Sequence, residues 1–303
     1  MYPILKKLWK LVFSIQVLAV LLAFGLMVFL SNYYMSNIER EHLLKDVKNS
    51  ITTTQAYIEG DLIEMETTLT VLTENVRDII IQYNSRERTD TYLKSITQYM
   101  MVTDDRLRDY VGGIYGIFQV FDDVWISGVG RIPPDDYIVK ERPWYDVAIK
   151  ANGKVGITQP YIDFYSGEVS ITFTRCIIDD DGTLLAIVCL DVNLERIRRH
   201  AVNAYVSEGS YGILMDNNFN ILAHPHPLYV GRHITQMNDG WIIQNELLMG
   251  IEISERKAKD YSDKEAVLFV RQLNNGWYLA IVLYADKYYQ SVREIAYILI
   301  ILG

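Results

Sequence analysis

The chain has 303 residues, half of them hydrophobic, and a net charge of −9 with no long run of one sign. That is enough material for one large or two modest cores once a membrane segment is set aside. The lack of a basic stripe excludes nucleic acid as a partner, because nothing is available to displace phosphate counterions. The two cysteines, Cys176 and Cys189, flank the turn Asp179-Asp180-Asp181-Gly182. Pairing Ile178 with Thr183 across that turn would set Cys176 opposite Leu185 and Cys189 opposite Thr172, too far apart for a disulfide. Both read as buried thiols.

Residues 1–10 carry Lys6, Lys7 and Lys10, and residues 11–30 follow without a single charge, Ser14 and Gln16 being the polar interruptions. Twenty such residues are the length at which an α-helix crosses a bilayer core. A cleaved signal peptide would have a shorter apolar core and a small-residue cleavage site, whereas Ser31-Asn32-Tyr33-Tyr34 follows here, with an aromatic pair suited to the interface. No Lys or Arg follows until Arg40. The positive-inside rule therefore expects a cytoplasmic N-terminus and a body outside the cell (inner) membrane, extracytoplasmic or periplasmic.

Residues 31–83 are expected as one long helix. Leu44, Val47, Ile51, Thr54, Ile58, Leu62, Met65, Leu69, Leu72, Val76, Ile79 and Tyr83 recur at steps of three and four, with a stutter around Ile58. Two readings of this seam stay open: packing on the chain's own sheets, and pairing with a second copy in a homodimer.

From Tyr110 the rhythm changes to short apolar runs between turns: Gly113 to Phe121, Val124 to Ser127, Val169 to Ile178 and Thr183 to Leu190. A short helix, Leu194 to Tyr205, leads to a second set, Gly209 to Met215, Phe219 to Ala223, Glu265 to Leu273 and Trp277 to Leu283. The expected class is α+β: a transmembrane helix, a long helix, then two antiparallel-sheet domains in tandem, spanning residues 84–200 and 201–290. Residues 291–303 begin a further apolar run that is expected to open a second membrane helix of a longer protein.

This layout resembles the double Cache family of transmembrane receptors, whose two domains are PAS-like. In the second domain Tyr211-Gly212-Ile213-Leu214-Met215-Asp216, Ile221-Leu222-Ala223-His224-Pro225 and Val230-Gly231 resemble the family's membrane-proximal repeat, and Asn275-Gly276-Trp277-Tyr278-Leu279 its closing strand. In the first, the segments YIVKERPWY, TQPYID and VCLDVNL place Tyr137, Arg142, Trp144, Tyr145, Tyr161 and Asp191 as the amino-acid-binding branch of the family has them.

The resemblance implies a membrane-distal pocket for a free α-amino acid, a ligand whose carboxylate and ammonium each need a partner when they leave water. Arg142 offers a planar fork to the carboxylate, with the Trp144 indole N–H and the Tyr137 hydroxyl beside it. Asp191 answers the ammonium, with Tyr145 and Tyr161 as hydroxyl acceptors and ring faces and Asp163 as a further acceptor. Taken singly these residues have plainer readings: a surface ion pair between Arg142 and Glu141, core aromatics at Trp144 and Tyr145, a helix cap at Asp191. Two other functions remain open, a sensor for a different small carboxylate or amine, and a structural role without a small-molecule ligand, as a dimerising scaffold or as a docking surface for a periplasmic binding protein.

His224-Pro225-His226 with His233 lacks a completing cysteine or carboxylate, so no metal and no cofactor is expected. No nucleophile motif or phosphate loop is recognisable, so no catalytic residue is assigned. A histidine kinase, a chemoreceptor tail or a cyclic-dinucleotide enzyme would have to lie beyond Gly303.

Overall fold

The computed structural model describes residues 2–288 apart from 109, 166 and 168; the expected second membrane helix at 291–303 lies outside the described residues. A single helix, α1 (Tyr2–Tyr83), runs for 82 residues, roughly 120 Å at the usual rise per residue. Its stretch from Val12 is long and apolar enough to cross a membrane, and nearly every side chain there is exposed. Asn84, at φ +40°, ends the helix, and Ser85 starts the next one, α2 (Arg86–Gln98), by accepting a hydrogen bond from the Arg88 N–H.

Beyond residue 40 the seam of α1 is buried at Val47, Ile51, Thr54, Ile58, Leu62, Met65, Leu69, Leu72 and Val76. It ends differently from the sequence reading: Ile80 is buried, Ile79 is half-buried and Tyr83 is 53% exposed. A last step of four from Val76 keeps the stripe over the sheet, which a step of three would rotate away. The seam packs on the chain's own sheets in one continuous core.

The first sheet is built from β1 (Val111–Phe118), β2 (Val124–Ser127), β3 (Gly156–Ile157), β4 (Tyr161–Ile162), β5 (Val169–Ile178) and β6 (Leu184–Asn193), with helix α3 (Pro143–Ala151) crossing between β2 and β3. Its order is β2-β1-β6-β5-β3, with β4 also beside β5. After α4 (Glu195–Val202) comes the second sheet: β7 (Tyr211–Met215), β8 (Ile221–Ala223), helix α5 (Gly240–Leu248), β9 (Ile253–Lys259), β10 (Glu265–Gln272) and β11 (Tyr278–Tyr284), ordered β8-β7-β11-β10-β9 and followed by α6 (Ala285–Tyr288). All pairings are antiparallel.

Strand alternation gives each sheet two faces. Ile114, Phe118, Val188 and Leu190 of the first, and Leu279, Ile281 and Leu283 of the second, share the core with α1. The opposite faces form separate clusters, Tyr115, Ile117, Ile187 and Cys189 of the first sheet with Trp144 of α3, and Tyr211, Ile213, Ala280 and Val282 of the second sheet.

The β5–β6 hairpin corrects the expected register. The Asp179 carboxylate accepts the N–H groups of Asp181 and Thr183, Gly182 takes φ +86°, and Asp179 rather than Ile178 faces Thr183. A bulge follows at Ile177/Ile178, so Cys176 lies opposite Ile187 and Cys189 opposite Thr174. Both thiols are free and buried, with Cys189 Sγ 3.3 Å from Thr174 Oγ1. The same shift sets Thr172 opposite Asp191.

Candidate functional site

Asp191 stands near the end of β6 on the face away from α1, with Gly113 of β1 on one side and Thr172 of β5 on the other. It is 9% exposed. Its Oδ1 accepts hydrogen bonds from Thr172 Oγ1 at 2.6 Å and from the Tyr115 hydroxyl at 3.0 Å. Because the Thr172 proton goes to Asp191, the Tyr161 hydroxyl at 2.6 Å donates to Thr172, and the backbone N–H of Thr172 donates to Thr158 Oγ1. Burial pushes the Asp191 carboxyl up to about 7, and the nearby Asp163 charge adds to the rise; the bonds from Thr172 and Tyr115 and the charge of Arg131 pull the other way. Burial also raises the Tyr115 and Tyr161 phenols, with Asp191 as the next cause.

The cationic end is organised around the start of α3. Arg142 has extended backbone and precedes Pro143, whose fixed φ suits the first helical position. The guanidinium lies 5.0 Å from the Tyr137 ring centre and 5.7 Å from that of Phe164. Its Nε is buried without a hydrogen-bond partner, as are the Trp144 indole nitrogen and the Tyr165 hydroxyl. Trp144 is fully buried; its approach to the Tyr137 hydroxyl lowers that phenol against the dominant effect of burial, without meeting hydrogen-bond geometry. Arg131 lies over the Tyr165 ring at 5.1 Å. Buried donors left unpaired cost about 1–3 kcal/mol each. Their concentration at one place marks a surface shaped for an acceptor.

An aromatic wall joins the two ends. Tyr115 stacks on Trp125 with centroids 4.9 Å apart, and Trp125 meets Tyr137 edge to face at 5.7 Å. Tyr137 meets Phe164 at 5.5 Å, and Trp144 closes against both Tyr115 and Trp125. The Tyr137 phenol feels both Arg142 and Asp191.

Of the residues picked from the sequence, Tyr137, Arg142 and Trp144 meet in the aromatic cluster, and Tyr161 reaches Asp191 through Thr172. Tyr145 is half-buried on α3, 6.1 Å from the Trp144 ring, and its described contacts are packing ones. Asp163 is buried, accepts the Tyr165 N–H at 3.1 Å and acts on Asp191 through its charge. The plainer readings of Arg142 and Asp191 do not hold: no ion pair joins Arg142 to Glu141 among the described residues, and the Glu195 N–H at the start of α4 is taken by Asn193 Oδ1. Tyr115, Trp125, Arg131, Thr172 and Phe164 were not picked. Strand alternation carried a signal for the first and fourth, polar groups at inward positions of apolar strands.

The Cache domain family model matches residues 35–292 of the chain. Among curated relatives, the methyl-accepting chemotaxis protein McpB of Bacillus subtilis is 20% identical over 255 residues, 84% of this chain and 36% of that protein, and McpG of Pseudomonas putida is 25% identical over 209 residues, 69% and 30%. The chain thus spans about a third of the length of these relatives. Among solved structures, the ligand-binding domain of Mlp24 with asparagine superposes with a TM-score of 0.64 at 18% identity, covering 85% of this chain and 99% of that one. The Pseudomonas aeruginosa PAO1 chemoreceptor PctB domain in complex with L-Arg gives 0.59 at 19%, covering 82% and 97%. The Campylobacter jejuni Tlp3 domain with 4-methylisoleucine gives 0.61 at 16%, covering 82% and 93%. At these identities the structures speak for the fold, two sheets strung along one helix, and the family match over most of the chain means that it belongs to the double Cache family of sensor domains.

Proposed function

We propose that the chain is the extracytoplasmic sensor of a transmembrane chemoreceptor and that its first sheet domain, residues 84–200, is membrane-distal and binds a free α-amino acid. The observation that carries this is the pairing of unpartnered donors at Arg142 and Trp144 with the buried Asp191 carboxylate along one aromatic wall. A zwitterion satisfies both ends at once, and the positive end of the α3 dipole opens beside Arg142. The chemotaxis proteins among its relatives, and the neighbouring structures solved with asparagine and with L-Arg, support the same reading.

On this reading α1 crosses the membrane through residues 11–30 with its N-terminus in the cytoplasm, residues 201–290 form the membrane-proximal domain, and a second copy pairs along α1. Ile63, Val71 and Ile81, each about half exposed or more, lie off the buried seam and suit that pairing. The test is calorimetry of the whole chain in detergent or nanodiscs against the twenty amino acids, then against analogues lacking the amino or the carboxyl group. Binding that needs both groups and vanishes in Arg142→Ala and Asp191→Ala is expected. Equal binding of a simple carboxylate or amine would move the assignment to that class, and no ligand at all would leave the dimerising scaffold.

A further inference from the structure

The second sheet repeats the topology of the first, and its face away from α1 carries a cluster that the amino-acid reading does not use. In the first sheet Tyr115 of β1 faces Cys189 of β6, two residues before Asp191; in the second Tyr211 of β7 faces Val282 of β11, two residues before Tyr284. Around Tyr211 stand His224, Tyr261 and Tyr284, with ring centroids at 5.9, 5.9 and 6.3 Å, and Tyr229 closes on His224 at 4.9 Å. Tyr211 is 7% exposed and His224 2%. Both the Tyr211 hydroxyl and His224 Nε2 are buried without a hydrogen-bond partner.

The chemistry of the cluster narrows its ligand. His226 meets His224 Nδ1 twice, with its backbone N–H, an obligatory donor, at 3.0 Å and with its carbonyl oxygen at 3.2 Å; the shorter contact has Nδ1 accepting, which leaves the proton of the neutral ring on Nε2 as a donor. Burial favours that neutral form. Tyr211, though not His224, lines a cavity of about 40 Å³ with apolar walls that include Ile213, Ile243, Leu268 and Val270. Asp260 borders the same cavity, held as an anion by the N–H groups of Ser262 and Lys264 at 2.8 and 2.9 Å, and Lys259, also at its edge, is paired with Asp263. The fixed carboxylate disfavours an anion, and its oxygens are already taken by Ser262 and Lys264, which leaves the two unpaired donors to an uncharged acceptor.

We propose that this cluster is a second small-molecule site, distinct from the amino-acid pocket, taking an uncharged carbonyl compound of about three to five non-hydrogen atoms, the size such a cavity admits. The carbonyl oxygen accepts from His224 Nε2–H and the Tyr211 hydroxyl, and the short alkyl part enters the apolar cavity. Tyr284 sits at the last residue of β11, directly before α6, so occupancy bears on the point where the chain leaves the second sheet.

The probes are acetamide and acetone, with acetate and ethylammonium as charged comparators, titrated into the whole chain in nanodiscs and followed by melting midpoint and calorimetry. Saturable binding of the uncharged probes is expected, weakened tenfold or more by Tyr211→Phe and by His224→Ala, largely kept in His224→Gln and untouched by Arg142→Ala. Tyr211→Phe removes one oxygen and carries the test if His224→Ala fails to fold. Tighter binding of either charged comparator, unchanged affinity in Tyr211→Phe, or no saturable binding by the folded wild-type chain would overturn the proposal.

Discussion

If Asp191 receives a ligand's ammonium, binding must expel a proton over a definable pH window. The carboxyl titrates at about 7 in the ligand-free protein, against 3.8 for the free side chain. At pH 6 about nine molecules in ten therefore hold the proton, and an ammonium beside the carboxylate drives it off. Proton release should be near one per ligand at pH 5–6, about a half at pH 7 and close to zero by pH 8.5, while affinity falls about tenfold per unit below pH 7. Calorimetry in buffers of different ionisation enthalpy counts the protons directly. A raised carboxyl pKa also means that the fold holds more protons than the unfolded chain between about pH 4 and 7, so ligand-free stability declines as pH rises through that window. The three-unit shift corresponds to at most about 4 kcal/mol by pH 8. Asp191→Asn should remove both effects, stabilising the ligand-free chain at pH 8 while abolishing amino-acid binding. A dissociation constant flat from pH 5 to 8 with no proton release would refute the assignment of Asp191 to the ammonium.

Three further outcomes are expected. Arg142→Lys keeps the charge but loses the planar fork, and should weaken amino-acid binding about ten- to a hundredfold in calorimetry with an unchanged melting midpoint. Arg196 of α4 bonds Asp61 and Glu64 of α1 and lies 4.1 Å from the Tyr110 ring centre; Arg196→Met should cost about 2 kcal/mol in urea unfolding, since it leaves two partly buried carboxylates with only the longer contacts to His200 at 3.5 Å and Arg106 at 4.0 Å. A Cβ on Gly212 of β7 would stand 2.0 Å from the Ala201 carbonyl oxygen of α4, so Gly212→Ala should destabilise by about 1–3 kcal/mol and increase hydrogen exchange in both elements.

The long helix was legible because its apolar positions keep one period over dozens of residues, and the drift at Ile80 shows the limit of that signal where steps of three and four compete. The central strands were legible as apolar runs between turns. β9 was not, since the sequence ISERKAK looks like a polar loop and becomes a strand only as an edge beside β10. The short helices α2, α3 and α5 bury few residues each and carry too little periodicity to announce themselves. At the site, Arg142 and Asp191 could be named from motif spacing, but the Thr172–Asp191 bond depends on a register that an Asx turn and a bulge displaced by two residues. No local pattern states that displacement.

Asp191 is four residues from Glu195, where α4 begins, and five from Arg196, which fastens α4 to α1. Ala201 of the same helix presses on Gly212 of β7 in the second sheet. The proposed anchor for a ligand's ammonium and the joint between the two sheets thus occupy one stiff span of about eleven residues with almost no slack in it. A strand that shifts by a fraction of an ångström in the first sheet would drag that joint along the rod of α1 instead of dissipating in a loop, so a sensor of this build has no need of a mobile lid to be heard at its far end.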